Sequence, residues 1–116
     1  MQRFGIGEQE LKMARLLWER EGIRSGAVVQ LCAEELNWAK STTYTMLRRL
    51  CEHGLFQNVN SIVTLVVSEE EYMSNVAKAM VEDKFDGSLL EFVSAVVGYR
   101  GISAEERTQL YEMLQN

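Results

Sequence analysis

Residues 38–55, which read WAKSTTYTMLRRLCEHGL, decide the fold of this chain. On a helical wheel of residues 41–54, Thr43 and the apolar side chains share one face, and hydroxyls and arginines occupy the other. Ser41 is the predicted N-cap and Gly54 the predicted C-terminal stop, so the stretch predicts a single helix. The exposed hydroxyls and arginines favour a helix that reads the DNA major groove. A solvated amphipathic helix, which would also be polar outside, is the alternative.

The elements on either side of this helix predict a winged helix-turn-helix. Two segments before it repeat apolar residues at helical spacing, and two segments after it are short and apolar, as strands are. These four elements cover residues 8–20, 27–36, 55–57 and 62–67. Residues 58–61 have turn chemistry, so the strands form a small hairpin. We therefore predict a winged-helix DNA-binding domain over residues 1–67.

The second half of the chain contains three matches to the S-x-x-E capping box, in which Ser and Glu side chains satisfy the free amides of a helix start. The matches begin at Ser68, Ser88 and Ser103, and each opens an apolar-periodic segment. They predict helices near residues 69–84, 89–99 and 104–115. The fold class is thus mainly α, with three helices and a hairpin followed by a three-helix lobe.

The helix predicted at residues 89–99 is apolar nearly all round, which is typical of a helix buried on every side. A lobe of about fifty residues has too little core to bury it alone. We therefore predict that residues 68–116 are a dimerisation domain in which a second copy covers this helix. The alternative is that the helix packs beneath the winged domain. The predicted dimerisation residues are Leu89, Phe92, Val93, Val96, Leu110 and Leu114.

The charge of the chain is unevenly distributed along its length. The net charge is −5. Residues 1–67 hold eight Lys/Arg and seven Asp/Glu, a net +1, and residues 68–116 hold four Lys/Arg and ten Asp/Glu, a net −6. Only the first half is suited to face phosphate. No Lys or Arg occurs between Arg49 and Lys78, so the hairpin itself carries no cation.

Several other classes of protein are disfavoured by composition. No run of about 18 apolar residues predicts a membrane span, and the first residues lack the apolar run of a secretion signal, so we expect a cytoplasmic protein without membrane insertion. Cys32 and Cys51 fall on apolar helix faces and are interpreted as buried free thiols, with a redox or metal role as the alternative. There is no Gly-rich phosphate loop, and the lone His53 has no evident nucleophile nearby. We predict no catalytic residues, no metal and no cofactor, and thus no enzyme.

Residues 38–55 resemble the W-S-x-x-T-V-x-T-L-L-x-R-L-x-x-K-G-L signature of the BlaI/MecI/CopY penicillinase-repressor family. Glu10 with the Leu-Leu-Trp-Glu of residues 16–19 is similar to the E-x-x-V-x-x-x-L-W-E of its first helix. Residues 67–72 and 85–89 are similar to its V-S-E-E-E-Y and F-x-G-S-L motifs. The resemblance covers almost the whole chain in the family's order. Among the departures from the signature, Thr43 stands where it has valine and His53 where it has lysine.

The resemblance implies a homodimeric transcriptional repressor that binds palindromic operator DNA, controlling genes of β-lactam resistance or a related stress. It also implies which residues contact DNA: Lys40, Ser41, Thr42, Tyr44 and Thr45, with Arg48 and Arg49 towards the backbone. Several family members are cleaved through a membrane sensor protease, and the cleaved N-F dipeptide would fall on Ala95-Val96 here. The copper-binding cysteine cluster of other members is absent from this sequence. A divergent protein-interaction module with weak or no DNA binding is the alternative.

Overall fold

The computed structural model describes residues 5–115 of the chain, and within them it contains six helices and three strands. In chain order the elements are α1 (Glu8–Trp18), β1 (Ile23–Arg24), α2 (Ser25–Leu36), α3 (Lys40–Glu52), β2 (Phe56–Val59), β3 (Ile62–Leu65), α4 (Glu69–Lys84), α5 (Leu89–Tyr99) and α6 (Ala104–Leu114). The predicted mainly α winged-helix fold, with its six helices and hairpin, is confirmed.

The chain forms two compact units, which divide between Ala77 and Lys78 inside α4. The first is called the winged unit below and the second the C-terminal unit. The domain boundary predicted from the sequence, after residue 67, stays a prediction. Among the residues that the structure describes, no helix combines the length and apolar character needed to span a membrane.

The sheet of the winged unit has one strand more than the sequence predicts. Its order is β1-β3-β2, and both neighbouring pairs are antiparallel. The extra strand, β1, is only two residues long and pairs Ile23 with Val63 and Arg24 with Ile62. One face of this sheet packs with α1, α2 and α3 around a core whose largest fully buried side chains include Met13, Leu17, Val28, Leu50 and Val63.

The β2–β3 hairpin turns on two residues, Asn60 and Ser61. Both are left-handed, with φ of 53° and 63°. Two successive left-handed residues are typical of the type I′ turn that matches the twist of a hairpin. The turn predicted over residues 58–61 is therefore too wide, because Asn58 and Val59 continue β2 by pairing with β3.

An aromatic cluster fastens the beginning of α4 to the winged unit. The Trp18 ring centroid lies 5.7 Å from that of Phe56 and 5.6 Å from that of Tyr72. Trp18 Nε1 donates a hydrogen bond of 2.9 Å to the Val67 carbonyl. The Tyr72 hydroxyl accepts a hydrogen bond of 2.8 Å from the Ile6 amide. These bonds satisfy the polar tips of two largely buried aromatic residues, as such residues require.

The capping serines predicted from the sequence are found at the starts of α4, α5 and α6. Ser68, Ser88 and Ser103 accept hydrogen bonds of 3.1, 3.1 and 3.0 Å from the amides three residues on. Only the last of these three also shows the reciprocal bond, from the Ser103 amide to Glu106. The local signal S-x-x-E therefore locates the helix starts correctly.

Helix α5 has no buried residue in the single chain. Leu90 is 77% exposed and Leu89 62%, although the helix is the most apolar of the six by composition. Phe92 makes an edge contact with Phe85, with ring centroids 5.4 Å apart. Leu110 and Leu114 of α6 are exposed as well. The C-terminal unit thus leaves uncovered an apolar surface that a folded protein ordinarily buries.

Candidate nucleic-acid interface

Helix α3 begins two residues earlier than its predicted N-cap implies. Asn37 ends α2 in the left-handed conformation, with φ of 57°, and Ala39 is the extended residue before α3. Lys40 is consequently the first helical residue, and the predicted N-cap role of Ser41 is wrong. Ala39 offers no side chain to cap the helix. Ser41 lies within the first turn, where its exposed hydroxyl is not used for capping.

The C-terminal end of α3 has a Schellman motif, as the predicted glycine stop implies. Gly54 is left-handed, with φ of 80°. Its amide donates to the Cys51 carbonyl at 3.0 Å, and the Leu55 amide donates to the Leu50 carbonyl at 3.1 Å. This pair of bonds satisfies carbonyls that a helix end otherwise leaves free. The hairpin therefore starts at a fixed position directly after α3.

The inner face of α3 holds the helix in the core through Thr43, Leu47 and Leu50, all buried. Thr43 is fully buried, and its hydroxyl donates to the Ala39 carbonyl at 3.2 Å. Burial raises the pKa of the neighbouring Cys32 thiol, and a hydrogen bond with Thr43 opposes this shift. A threonine is tolerated at this core position because its polar group has partners.

The outer face of α3 carries most of the residues predicted to contact DNA. Lys40, Ser41, Tyr44 and Arg48 are exposed, and Thr42 and Thr45 are half-buried. No ion pair is found for Lys40 or Arg48 within residues 5–115. The first turn of α3, like that of α2, contains no acidic residue, whereas α1, α4, α5 and α6 all have them. The positive ends of these two helices are thus not neutralised by their own side chains.

Arg49 has a different environment from Arg48, although the two are adjacent. Glu10 of α1 is a buried carboxylate, only 6% exposed. Its Oε1 lies 3.9 Å from Arg49 Nη1, and its Oε2 lies 3.5 Å from His53 Nε2 and accepts a 3.2 Å hydrogen bond from the Gly7 amide. A buried charge needs such partners to offset its desolvation. Arg49 is therefore an ion-pair partner between α1 and α3, a role that its position in the sequence did not reveal.

The sheet brings Arg24 beside the hairpin, and sequence reasoning missed this residue. Arg24 pairs with Ile62, the first residue after the turn, and the Ser25 amide donates to the Ser61 carbonyl at 2.9 Å. The Arg24 residue is exposed. A two-residue strand has no periodicity, so no sequence signal could have predicted this neighbour. Within the described part of the chain, no cluster of three or more His, Cys, Asp or Glu residues is placed to hold a metal ion.

A half-exposed helix that follows a short helix and a tight turn, and precedes a β-hairpin, defines the class of winged helix-turn-helix proteins. Within that class, the chain belongs to the penicillinase repressor family, whose model matches residues 6–116. This is a family of DNA-binding regulators and not of enzymes. The penicillinase repressor of Bacillus licheniformis is 23% identical over 114 residues, covering 95% of this chain and 89% of that protein.

A solved structure supports the same fold. The solution structure of the DNA-binding domain of the repressor BlaI superposes with a TM-score of 0.54 at 23% sequence identity. The match covers 62% of this chain and 94% of that one. The likeness therefore extends over a length that corresponds to the winged unit, and it confirms the winged-helix fold predicted from residues 38–55.

Proposed function

We propose that this transcriptional repressor binds palindromic operator DNA as a homodimer, with α3 in the major groove. The proposal extends to the control of genes of β-lactam resistance or a related stress, as the family's name suggests. The side chains that face base edges and nearby phosphates are Lys40, Ser41, Tyr44 and Thr45. Thr42 lies at the margin of this DNA-facing surface. Arg48 contacts the backbone. Arg49, predicted as a second backbone contact, acts mainly through its ion pair with Glu10.

The observation that carries the proposal is the composition of the exposed face of α3. Short hydroxyl side chains suit hydrogen bonding to base edges, and Arg48 and Lys40 suit phosphate oxygens. Neither cation is neutralised by an ion pair in the described chain. A helix that served only to face solvent would gain nothing from leaving both cations unpaired.

The homodimer rests on the uncovered apolar surface of α5 and α6. Each Å² of apolar surface that a partner buries contributes about 25 cal/mol of stabilising free energy. The exposed side chains that a partner would bury include Leu89, Leu90, Val93, Val96 and Val97. A two-fold axis through α5 places the same residues of both copies in one interface, as an isologous dimer requires. A homodimer carries two copies of α3, one for each half of a palindrome.

The DNA-binding part is tested by in vitro selection from a random 30-base-pair duplex library at low salt. We expect the selected sequences to converge on an inverted repeat whose half-sites are about one or two helical turns apart. Thr45→Ala should relax selectivity within the half-site. The matched change Thr108→Ala on α6 should leave it unaltered. A lack of enrichment by the wild-type chain would refute the repressor proposal and favour a divergent protein-interaction module.

The dimer is tested by sedimentation equilibrium on Val93→Glu and Val96→Glu. Each change places a charge in the proposed interface, so we expect monomers at concentrations where the wild-type chain is a dimer. Val59→Glu introduces the same charge at an exposed valine of β2 and should leave the dimer intact. A monomeric wild-type chain at micromolar concentration would contradict the two-fold arrangement. A membrane sensor protease as a partner stays an expectation from the family resemblance, and this chain has Ala95-Val96 in place of the family's cleaved N-F dipeptide.

A further inference from the structure

The hairpin of the winged unit lacks the cations that a wing needs to hold phosphate. From Phe56 to Leu65 the two strands and their turn contain no Lys or Arg. Their exposed polar groups are amides and hydroxyls, such as Gln57, whose Nε2 donates to Thr64 Oγ1 across the strands at 3.2 Å. Such groups can donate hydrogen bonds to phosphate but release no counterions, so they add little to salt-dependent affinity.

The third strand supplies a cation at this place. In β1, Ile23 is half-buried against the core and Arg24 is exposed, as alternation along a strand requires. Arg24 pairs with Ile62, and Ile62 pairs with Val59 on its other side. Residues in register share one face of the sheet, so Arg24, Ile62 and Val59 form a row across its outer face, next to the Asn60–Ser61 turn.

A further contact fixes Arg24 at the tip of the hairpin. The Ser25 amide donates to the Ser61 carbonyl, so the chain directly after Arg24 is tied to the turn itself. Arg24 is also the residue before α2, whose first turn has no carboxylate. No ion-pair partner competes for its guanidinium within residues 5–115. An anion reaching this tip would meet one free cation.

We propose that Arg24 serves as the phosphate-binding cation of the wing, contributed by β1 instead of by the hairpin. This inference rests on the proposed DNA-binding function and deepens it. The wing then contacts the backbone outside the major-groove half-site through Arg24, while α3 contacts it through Arg48. The chain thereby keeps a charged wing although its hairpin is neutral.

The experiment measures the slope of log Kobs against log salt concentration for the wild-type chain and its variants, by anisotropy with the duplex obtained in the selection above. Arg24→Gln should lower the magnitude of the slope by about 0.9 for each protomer bound, or about 1.8 for a dimer. Arg24→Lys keeps the charge and should keep the slope. Arg15→Gln is the control. The Arg15 side chain on α1 is 58% exposed and forms an ion pair with Glu69, so its loss should leave the slope unchanged.

A second variant moves the cation to a neighbouring position on the wing, which tests whether a charge at this place restores phosphate binding. Val59 lies in the same row as Arg24, two strands away and thus about 10 Å from it. The double variant Arg24→Gln with Val59→Lys should regain the wild-type slope. Ethylation interference should show phosphates outside the half-site that matter for the wild-type chain and for the double variant, but not for Arg24→Gln alone.

The possible results separate this inference from the function on which it rests. A wild-type chain that binds no duplex at low salt overturns both. A wild-type chain that binds, with Arg24→Gln showing the same slope and the same phosphate contacts, overturns only the role of Arg24. Equal reductions for Arg24→Gln and Arg15→Gln also overturn it, since they would indicate a general charge effect. Urea unfolding of each variant checks that the folded population is the same.

Discussion

The ion pair between Glu10 and Arg49 gives the sharpest prediction about how α3 is held. We expect a double-mutant cycle of Glu10→Gln and Arg49→Gln to show that the two side chains are coupled. Two charges about 4 Å apart interact by about 1 kcal/mol in bulk water and about 4 kcal/mol at an effective dielectric constant of about 20. The observed separation is 3.9 Å, with the Glu10 side chain 8% exposed and the Arg49 side chain 50% exposed. Because solvent screens the exposed half of the pair, we expect a coupling of about 1–2 kcal/mol.

The assay is urea unfolding followed by far-ultraviolet circular dichroism at neutral pH. Arg49→Gln alone leaves a buried carboxylate with the Gly7 amide and His53, so it should destabilise the fold more than the double variant does. Arg48→Gln is the matched control, since no ion pair is found for this arginine in the described part of the chain, and it should change stability by less than about 0.5 kcal/mol. A coupling of zero within error, or equal effects of the two arginine variants, would refute the reasoning.

Two further predictions concern stability. Tyr72→Phe removes the hydroxyl that accepts a hydrogen bond from the Ile6 amide, so it should lower the free energy of unfolding in urea by about 1 kcal/mol. Tyr99 is 97% exposed, so Tyr99→Phe should change this free energy very little. Equal effects of the two variants would contradict the hydrogen bond. Burial raises the pKa of the Cys32 and Cys51 thiols above their ordinary value of 9.0. As pH rises, these thiols therefore lose their protons in the unfolded chain before they do so in the folded chain. Their contribution to the free energy of unfolding should be constant below pH 9 and fall above it. Cys51→Ser should show a smaller loss between pH 8 and pH 10, and thiol labelling at pH 8 should modify Cys51 before the fully buried Cys32.

The helices were predictable because their signals are local. Ser88 and Ser103 each bond an amide only three residues away, and the left-handed Gly54 is a preference of a single residue. The predicted N-cap of α3 was wrong because it, too, was chosen from the preference of a single residue. Ser41 is a favourable N-cap by residue type. However, α2 ends at the left-handed Asn37, and Ala39, two residues later, is the N-cap of α3.

The parts of the site that escaped prediction depend on contacts between distant residues. Glu10 and Arg49 are 39 positions apart, and nothing in either neighbourhood indicates that α1 and α3 bring them within 4 Å. Arg24 is similar, because its significance comes from its register with Ile62. The sequence singled out Arg49 as a DNA contact and did not single out Arg24, because only the tertiary structure determines which charges are already paired.

The number of unpaired cations limits how strongly this chain can hold DNA through charge. Within the described residues, the exposed cations without an ion pair at α3 and the wing are Lys40, Arg48 and Arg24, which makes six for a dimer. If each neutralises one phosphate, the magnitude of the salt slope is about 5. Such a slope costs about 1000-fold in affinity between 50 and 200 mM salt. Counting Arg49 as well would raise the slope to about 7. The wild-type slope, compared with the slopes of Arg24→Gln and Arg49→Gln, therefore distinguishes an arginine that binds Glu10 from one that binds DNA. We expect the remaining affinity to come from hydrogen bonds to the bases by the side chains proposed to read them, Ser41, Tyr44 and Thr45.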